Sequence, residues 1–276
     1  VTGYYVVKSG YIYMIEKDKE VCNNCDMEYH NYKKAFTLAE VLITLGIIGV
    51  VAALTMPTVI QNYKKKQAVT QLKATYSILA QAFEHAQADY GDVSNWGLDE
   101  IKGATSGERE KVTKFVETYF LPYIKPVKNY KIAYLWQIGY GSVYCLNGEK
   151  DGISSNNARY TIVLSNGAIV AFSIDGHCYG EEGTNENGNW YCTDFRNTNI
   201  YIVVDINGKK HPNTLGKDVF VMSVNSSTNK FEFYNYGGYA SDRAWLLNAC
   251  SKNSTAENRH CGRLIQLDGW KINYDW

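Results

Sequence analysis

The sequence lacks the residue patterns that mark most enzymes. It has no Gly-x-Ser-x-Gly elbow, no Gly-x-x-x-x-Gly-Lys-Ser/Thr phosphate loop and no His-Glu-x-x-His pair. Its five histidines, His30, His85, His177, His211 and His260, are scattered, none clustered with an acid and a nucleophile. No catalytic role is expected. Neither sign of charge is in excess, because 28 basic and 28 acidic side chains cancel. That argues against a partner held by bulk phosphate neutralisation, so no nucleic acid is expected as a direct partner. Proline is scarce, at four residues, and there is no low-complexity linker or internal repeat. With 45% apolar and 20% charged residues, the chain is expected to bury a core rather than stay disordered.

One stretch lacks charge altogether. Between Glu40 and Lys64 no residue is ionisable to a full charge, and Val41 to Ile60 is apolar all round apart from threonines. Twenty helical residues rise about 30 Å, the thickness of a bilayer's hydrocarbon. A buried core helix would be amphipathic, and a secretory signal would be shorter with small residues at its cut. The run therefore reads as a membrane-inserted helix. Lys17, Lys19, Lys33 and Lys34 on one side balance Lys64, Lys65, Lys66 and Lys73 on the other, so charge asymmetry sets no orientation. Composition does: the long C-terminal part, with cysteines and Tyr/Asn/Gly-rich turns, suits export, leaving the N-terminus in the cytoplasm.

The residues leading into this run are Lys33-Lys34-Ala35-Phe36-Thr37-Leu38-Ala39-Glu40-Val41. A lone carboxylate at the edge of an uncharged span is costly unless partnered. The arrangement resembles the prepilin cleavage and methylation motif of type IV pilins and type II secretion pseudopilins. The resemblance implies cleavage between Ala35 and Phe36 by a prepilin peptidase, N-methylation of Phe36, and Glu40 as the fifth mature residue. There it would neutralise the Phe36 amine of a neighbouring subunit and so set axial register. Pro57 matches a helix-kinking proline of that family. Ala35 departs from the usual glycine, and Ala39 from a larger aliphatic residue. Other pilin or pseudopilin subunits, an assembly ATPase and a platform protein are the implied partners, in the bacterial inner membrane and then in a filament. On this reading residues 1–35 are leader, 36–62 the transmembrane half of the helix and 63–276 an exported domain. Met27 would instead begin a nine-residue leader.

Beyond the span, Val69, Leu72, Tyr76, Leu79, Phe83, Ala86 and Tyr90 recur at steps of three and four, extending the helix to a cap at Gly91. A shorter helix is expected near Glu108 to Phe120. Strands are expected at Tyr160–Leu164 and Ala168–Ser173 around a Ser165-Asn166-Gly167 turn, and then at Ile200–Asp205, Val219–Val224 and Phe231–Tyr234. This order predicts an α+β fold with a long N-terminal helix packed on an antiparallel sheet, the pilin architecture.

Two further features remain open at this level. Asp205, Asn207 and Asp218 flank a loop whose Asp-x-Asn-Gly start is part of a calcium-loop pattern, but the bidentate glutamate is missing. An Asx/Gly turn is the alternative, and no cofactor is otherwise expected. Among seven cysteines, Cys178 with Cys192 and Cys250 with Cys261 would each close a short loop, the second like the C-terminal disulfide loop of many pilins. Cys145 is left over, and a metal site using His177-Cys178 and His260-Cys261 is the rival. A different class of function also fits: a membrane-tethered binding module that uses Trp190, Tyr191, Tyr234, Tyr236, Trp270 and Trp276 to recognise glycans or a surface.

Overall fold

The computed structural model describes residues 3–8, 11–16, 32–33, 37–97, 106–154, 159–178, 182–184, 190–192, 195–225, 228–234, 242–254 and 256–276. Only the backbone is described for 3–33, 106–108, 174–199 and 256–257. The chain divides into two units, Val1–Tyr63 and Lys64–Trp276.

In the first unit, β1 (Gly3–Lys8) and β2 (Tyr11–Glu16) pair antiparallel with Val6 opposite Tyr13, and β3 (Tyr32–Lys33) adds to β2. Helix α1 follows over Leu38–Tyr90, and its first half belongs to this unit. Among the described residues nothing covers that half. Leu42, Ile48 and Leu54 are 62%, 63% and 74% exposed. Thr44 and Thr55 turn their hydroxyls back to the helix carbonyls of Glu40 and Val51, each at 2.9 Å, so even the polar side chains present little but carbon outward. The helix continues through Pro57.

In the second unit α1 changes character. Ala68, Leu72, Thr75, Leu79, Ala82, Phe83 and Ala86 are buried, while Lys64, Lys66 and Lys73 stay exposed. Gly91, at φ +76°, ends the helix and donates its N–H to Gln87 O. After α2 (Ser106–Tyr119) the chain builds β4 (Lys128–Ala133), the small pair β5 (Val143–Tyr144) and β6 (Lys150–Asp151), then β7 (Arg159–Val163) and β8 (Ile169–Cys178). A second small pair, β9 (Glu182–Thr184) and β10 (Trp190–Cys192), precedes β11 (Phe195–Asp205), β12 (Val219–Asn225) and β13 (Lys230–Phe233). Helices α3 (Arg243–Ala249) and α4 (Cys261–Leu267) close the chain.

The main sheet has the order β13-β12-β11-β8-β7-β4. Neighbours in space are neighbours in sequence once the two small pairs are set aside, so the sheet is an antiparallel meander with two insertions. Asn166-Gly167 supplies the turn between β7 and β8, with Gly167 at φ +87°. Alternation along each strand assigns residues to two cores. Ile200, Ile202 and Val204 join Val170, Phe172, Phe220, Met222 and Val224 against Leu72, Leu79 and Phe83 of α1, with Phe115 and Val116 of α2 and Leu264 and Ile265 of α4. Tyr201, Val203, Ala171, Val219 and Val221 form the other face, covered by Leu135, Tyr140, Val143, Cys145, Ile153 and Leu215. The α+β expectation, with the helix stripe laid on the sheet, therefore holds. The second, covered face was not expected.

α4 approaches the sheet closely. A Cβ built on Gly262 would lie 2.2 Å from Cδ1 of Phe233, a fully buried ring on β13. Glycine in a helix normally costs about 1 kcal/mol relative to alanine. Here the sign should reverse. Gly262→Ala should destabilise the full chain in detergent by about 1–3 kcal/mol in chemical denaturation, because the ring must leave its rotamer or α4 must lift. A variant as stable as the parent would show that this approach is not tight.

Candidate functional site

The head of α1 is the first site that the sequence singles out. Ala35 and Phe36 lie outside the described residues, and the structure begins to speak at Thr37. Thr37 and Glu40 form a reciprocal cap. Glu40 Oε2 accepts from Thr37 N at 2.8 Å and from Thr37 Oγ1 at 2.9 Å, and Glu40 N donates to Thr37 Oγ1 at 3.1 Å. Two orphan donors of the helix start are thereby satisfied, and the carboxylate gains hydrogen bonds at the position where the helix dipole favours an anion. Both bonds fall on Oε2, and Oε1 accepts none from the described residues. The signal was in the sequence, since Thr-x-x-Glu before an apolar run is the capping-box pattern. The sequence reading weighed Glu40 as a charge and missed Thr37 as its partner. Pro57 lies seventeen residues on, inside the uninterrupted helix.

The second site is the loop between β11 and β12. Its three oxygen residues do meet. Asp205 Oδ1 accepts from Asn207 N at 3.0 Å, and Asp205 Oδ2 accepts from the buried Tyr140 hydroxyl. Asp218 Oδ2 accepts from Asn207 Nδ2 at 2.9 Å and Asn213 N at 3.0 Å, while Oδ1 accepts from Thr214 N. Every carboxylate oxygen thus faces an N–H or O–H donor, and Asn207 turns its nitrogen, not its oxygen, to Asp218. This is the chemistry of a stapled turn rather than of an oxygen cage for a hard cation. Among the described residues no cluster of three or more His, Cys, Asp or Glu could hold a metal. The staple has a cost, because the fully buried Asn213 amide and Asn207 Oδ1 have no hydrogen-bond partner among the described residues. Tyr140 and Asn213 were not foreseen: one lies in an insertion and the other in mid-loop, with no pattern to mark either.

The cysteines fall as follows. Cys250, at the end of α3, is bonded to Cys261, which opens α4. That bond removes Cys261 from the rival metal site, and His260 instead packs on Tyr234 and Trp245 at 4.9 and 5.0 Å between ring centres. The side chains of His177, Cys178 and Cys192 lie outside the described residues. Cys145 is a buried free thiol, and burial raises its pKa to about 11, which keeps it protonated and unreactive. Of the aromatic residues considered as a binding platform, Trp270 packs on Tyr76 and Phe233, and Tyr234 on Tyr201. Trp190, Tyr191 and Tyr236 fall outside the described side chains.

Burial raises the Asp205 carboxyl from 3.8 to about 8; the Tyr140 hydrogen bond opposes this and the Asp218 charge adds to it. Asp218 is raised for the same leading reason. Between about pH 4 and about pH 8 the folded chain holds a proton that the unfolded chain releases, so stability is greatest in acid and falls as pH rises through this window. The expected loss from pH 5 to 8.5 is about 1–3 kcal/mol, read as a falling melting temperature. Asp205→Asn should flatten most of the slope, with Asp218 supplying the remainder. A melting temperature independent of pH over that range would refute a protonated Asp205.

Comparison with known proteins bears on the head of the helix and on the domain separately. Residues 30–56 match the prokaryotic N-terminal methylation motif. Over 75 residues the chain is 32% identical to prepilin peptidase-dependent protein D of Escherichia coli strain K12, a stretch that covers 27% of this chain and 47% of that protein. The chain thus spans about half the length of that relative. No solved structure matches the chain. The likeness to these proteins is thus confined to the motif and to a 75-residue stretch. Residues 58–276, almost all of the part beyond that motif, match the family of unknown function DUF6613, and the chain belongs to that family.

Proposed function

We propose that the chain is a structural subunit of a filament, either a type IV pilus or a type II secretion pseudopilus. A prepilin peptidase cuts between Ala35 and Phe36, and the new Phe36 amine is methylated. The subunit waits in the bacterial inner membrane with α1 spanning and its C-terminal domain outside the cytoplasm. An assembly ATPase and a platform protein then move it into the filament. It is not an enzyme and carries no resident cofactor; a chelator should therefore leave its melting temperature unchanged, and a clear drop would restore calcium to the loop between Asp205 and Asp218.

The observation that carries this reading is the chemistry at Glu40. A carboxylate at the head of an uncharged helix, held at Oε2 by Thr37, is placed to receive an ammonium from a neighbouring chain. The likenesses support it: the Escherichia coli relative is called prepilin peptidase-dependent, and the motif is named for N-terminal methylation. The binding-module reading draws less support, because Trp270 and Tyr234 are engaged in packing.

Glu40→Val should still insert and be cut, leaving normal amounts of processed protein in membranes. It should be missing from sheared filaments and poorly methylated at Phe36, as read by N-terminal mass spectrometry. Filaments at the parental level from this variant would remove the role given to Glu40. A mature N-terminus other than Phe36 would remove the processing scheme.

A further inference from the structure

The last residues of the chain run back along α1. Trp270 sets its ring edge-on to Tyr76, 5.6 Å between centres, with Lys73 Nζ 5.6 Å from the Trp270 ring. Four residues later the carbonyl of Tyr274 accepts from Lys65 Nζ at 2.9 Å. The segment therefore travels antiparallel to the helix, from the level of Lys73 to that of Lys65, about 12 Å at the helical rise. Ile272 and Tyr274 are buried in passing, and Tyr274 donates its hydroxyl to Gly216 O, so the path is fixed. Lys65 is five residues beyond Ile60, where the uncharged run ends, or about 7.5 Å along the helix. That distance matches the headgroup layer, which extends roughly 5–8 Å beyond the hydrocarbon on each side.

The charges gathered at this level are unequal. Lys64, Lys66, Lys252 and Lys271 are exposed, and Lys65 and Lys217 half-buried. Lys64, Lys66 and Lys271 join no ion pair among the described residues. Two carboxylates stand close by. Asp268 is taken by Arg243 at 2.6 Å. Asp275 lies 2.9 Å from Lys252, and its pKa is lowered by that lysine first and by Lys65 and Lys217 at longer range. The surplus is cationic.

We infer that this rim, made of Lys64, Lys66, Lys271 and the C-terminal segment from Trp270 to Trp276, binds the phosphate headgroups of anionic phospholipids in the leaflet where α1 emerges. The inference rests on the proposed membrane-spanning α1, since continuity with the span is what selects lipid among possible anions. Its role would be retention: headgroup contacts hold the domain against the bilayer until assembly withdraws it.

The test uses the full chain. Flotation with phosphatidylcholine vesicles, resistant to alkaline carbonate, reads the span alone. Native mass spectrometry of the detergent-solubilised chain, given equal phosphatidylglycerol and phosphatidylcholine, reads the rim and does not depend on the span. The expected result is an about 30- to 160-fold preference for phosphatidylglycerol, what two or three lysines near an anionic surface supply. The triple variant Lys64→Gln, Lys66→Gln, Lys271→Gln should lose it. Lys128→Gln with Lys131→Gln, exposed lysines on β4, should retain it. Equal retention of the two lipids by the parent chain, or an unchanged preference in the triple variant, would overturn the inference. Failure of flotation with the preference intact would remove the span and leave the rim.

Discussion

Apolar surface between Leu38 and Tyr63 finds no cover among the described residues. Leu54 is three-quarters exposed, and its neighbours along the run are little different. At about 25 cal/mol per Å² such surface cannot be left in water by a protein that must persist. It has to be taken up by lipid or by other helices. The rest of α1 makes the opposite choice, with Leu72 and Leu79 fully buried against the sheet. One helix thus serves two solvents, and the switch falls at Lys64-Lys65-Lys66, where charge first appears.

The sheet of the second unit is the platform on which the far half of α1 packs. It is covered on both faces, so its central strands need no polar side: Ile200 to Val204 and Val219 to Val224 are nearly all buried. Of the two insertions that interrupt the meander, the one between β8 and β11 leaves a register shift between Arg196 and Asn199, while the pairing from Asn199 to Asp205 with β8 and from Ile200 to Asp205 with β12 runs without a break. The covering of the second face depends on the loop from Asp205 to Asp218, which places Leu215 against Val221 and Tyr140. The carboxylates of Asp205 and Asp218 fasten this loop through hydrogen bonds to Asn207, Asn213, Thr214 and Tyr140.

What could be read from the sequence was whatever repeats or clashes with water. The stripe from Leu72 to Ala86, the hairpin at Asn166-Gly167 and the span itself follow from periodicity, turn chemistry and length. Helices α3 and α4 have only seven residues each, too few for a period to declare itself. Strand β4 reads as polar because it is the sheet's edge, where Lys128 and Lys131 face solvent. The second core comes from residues such as Leu135, Tyr140 and Ile153 that are isolated in sequence and join only in space. At the helix head, Glu40 was legible as an anomaly of charge, while Thr37 was legible only as a cap.

The bond between Thr37 and Glu40 changes how association must be reckoned. The carboxylate is not a naked anion in need of rescue, because it already accepts two hydrogen bonds from its own chain. On the proposed role, pairing with a neighbour's amine would be a trade between two satisfied states, and only the difference between them would count toward association.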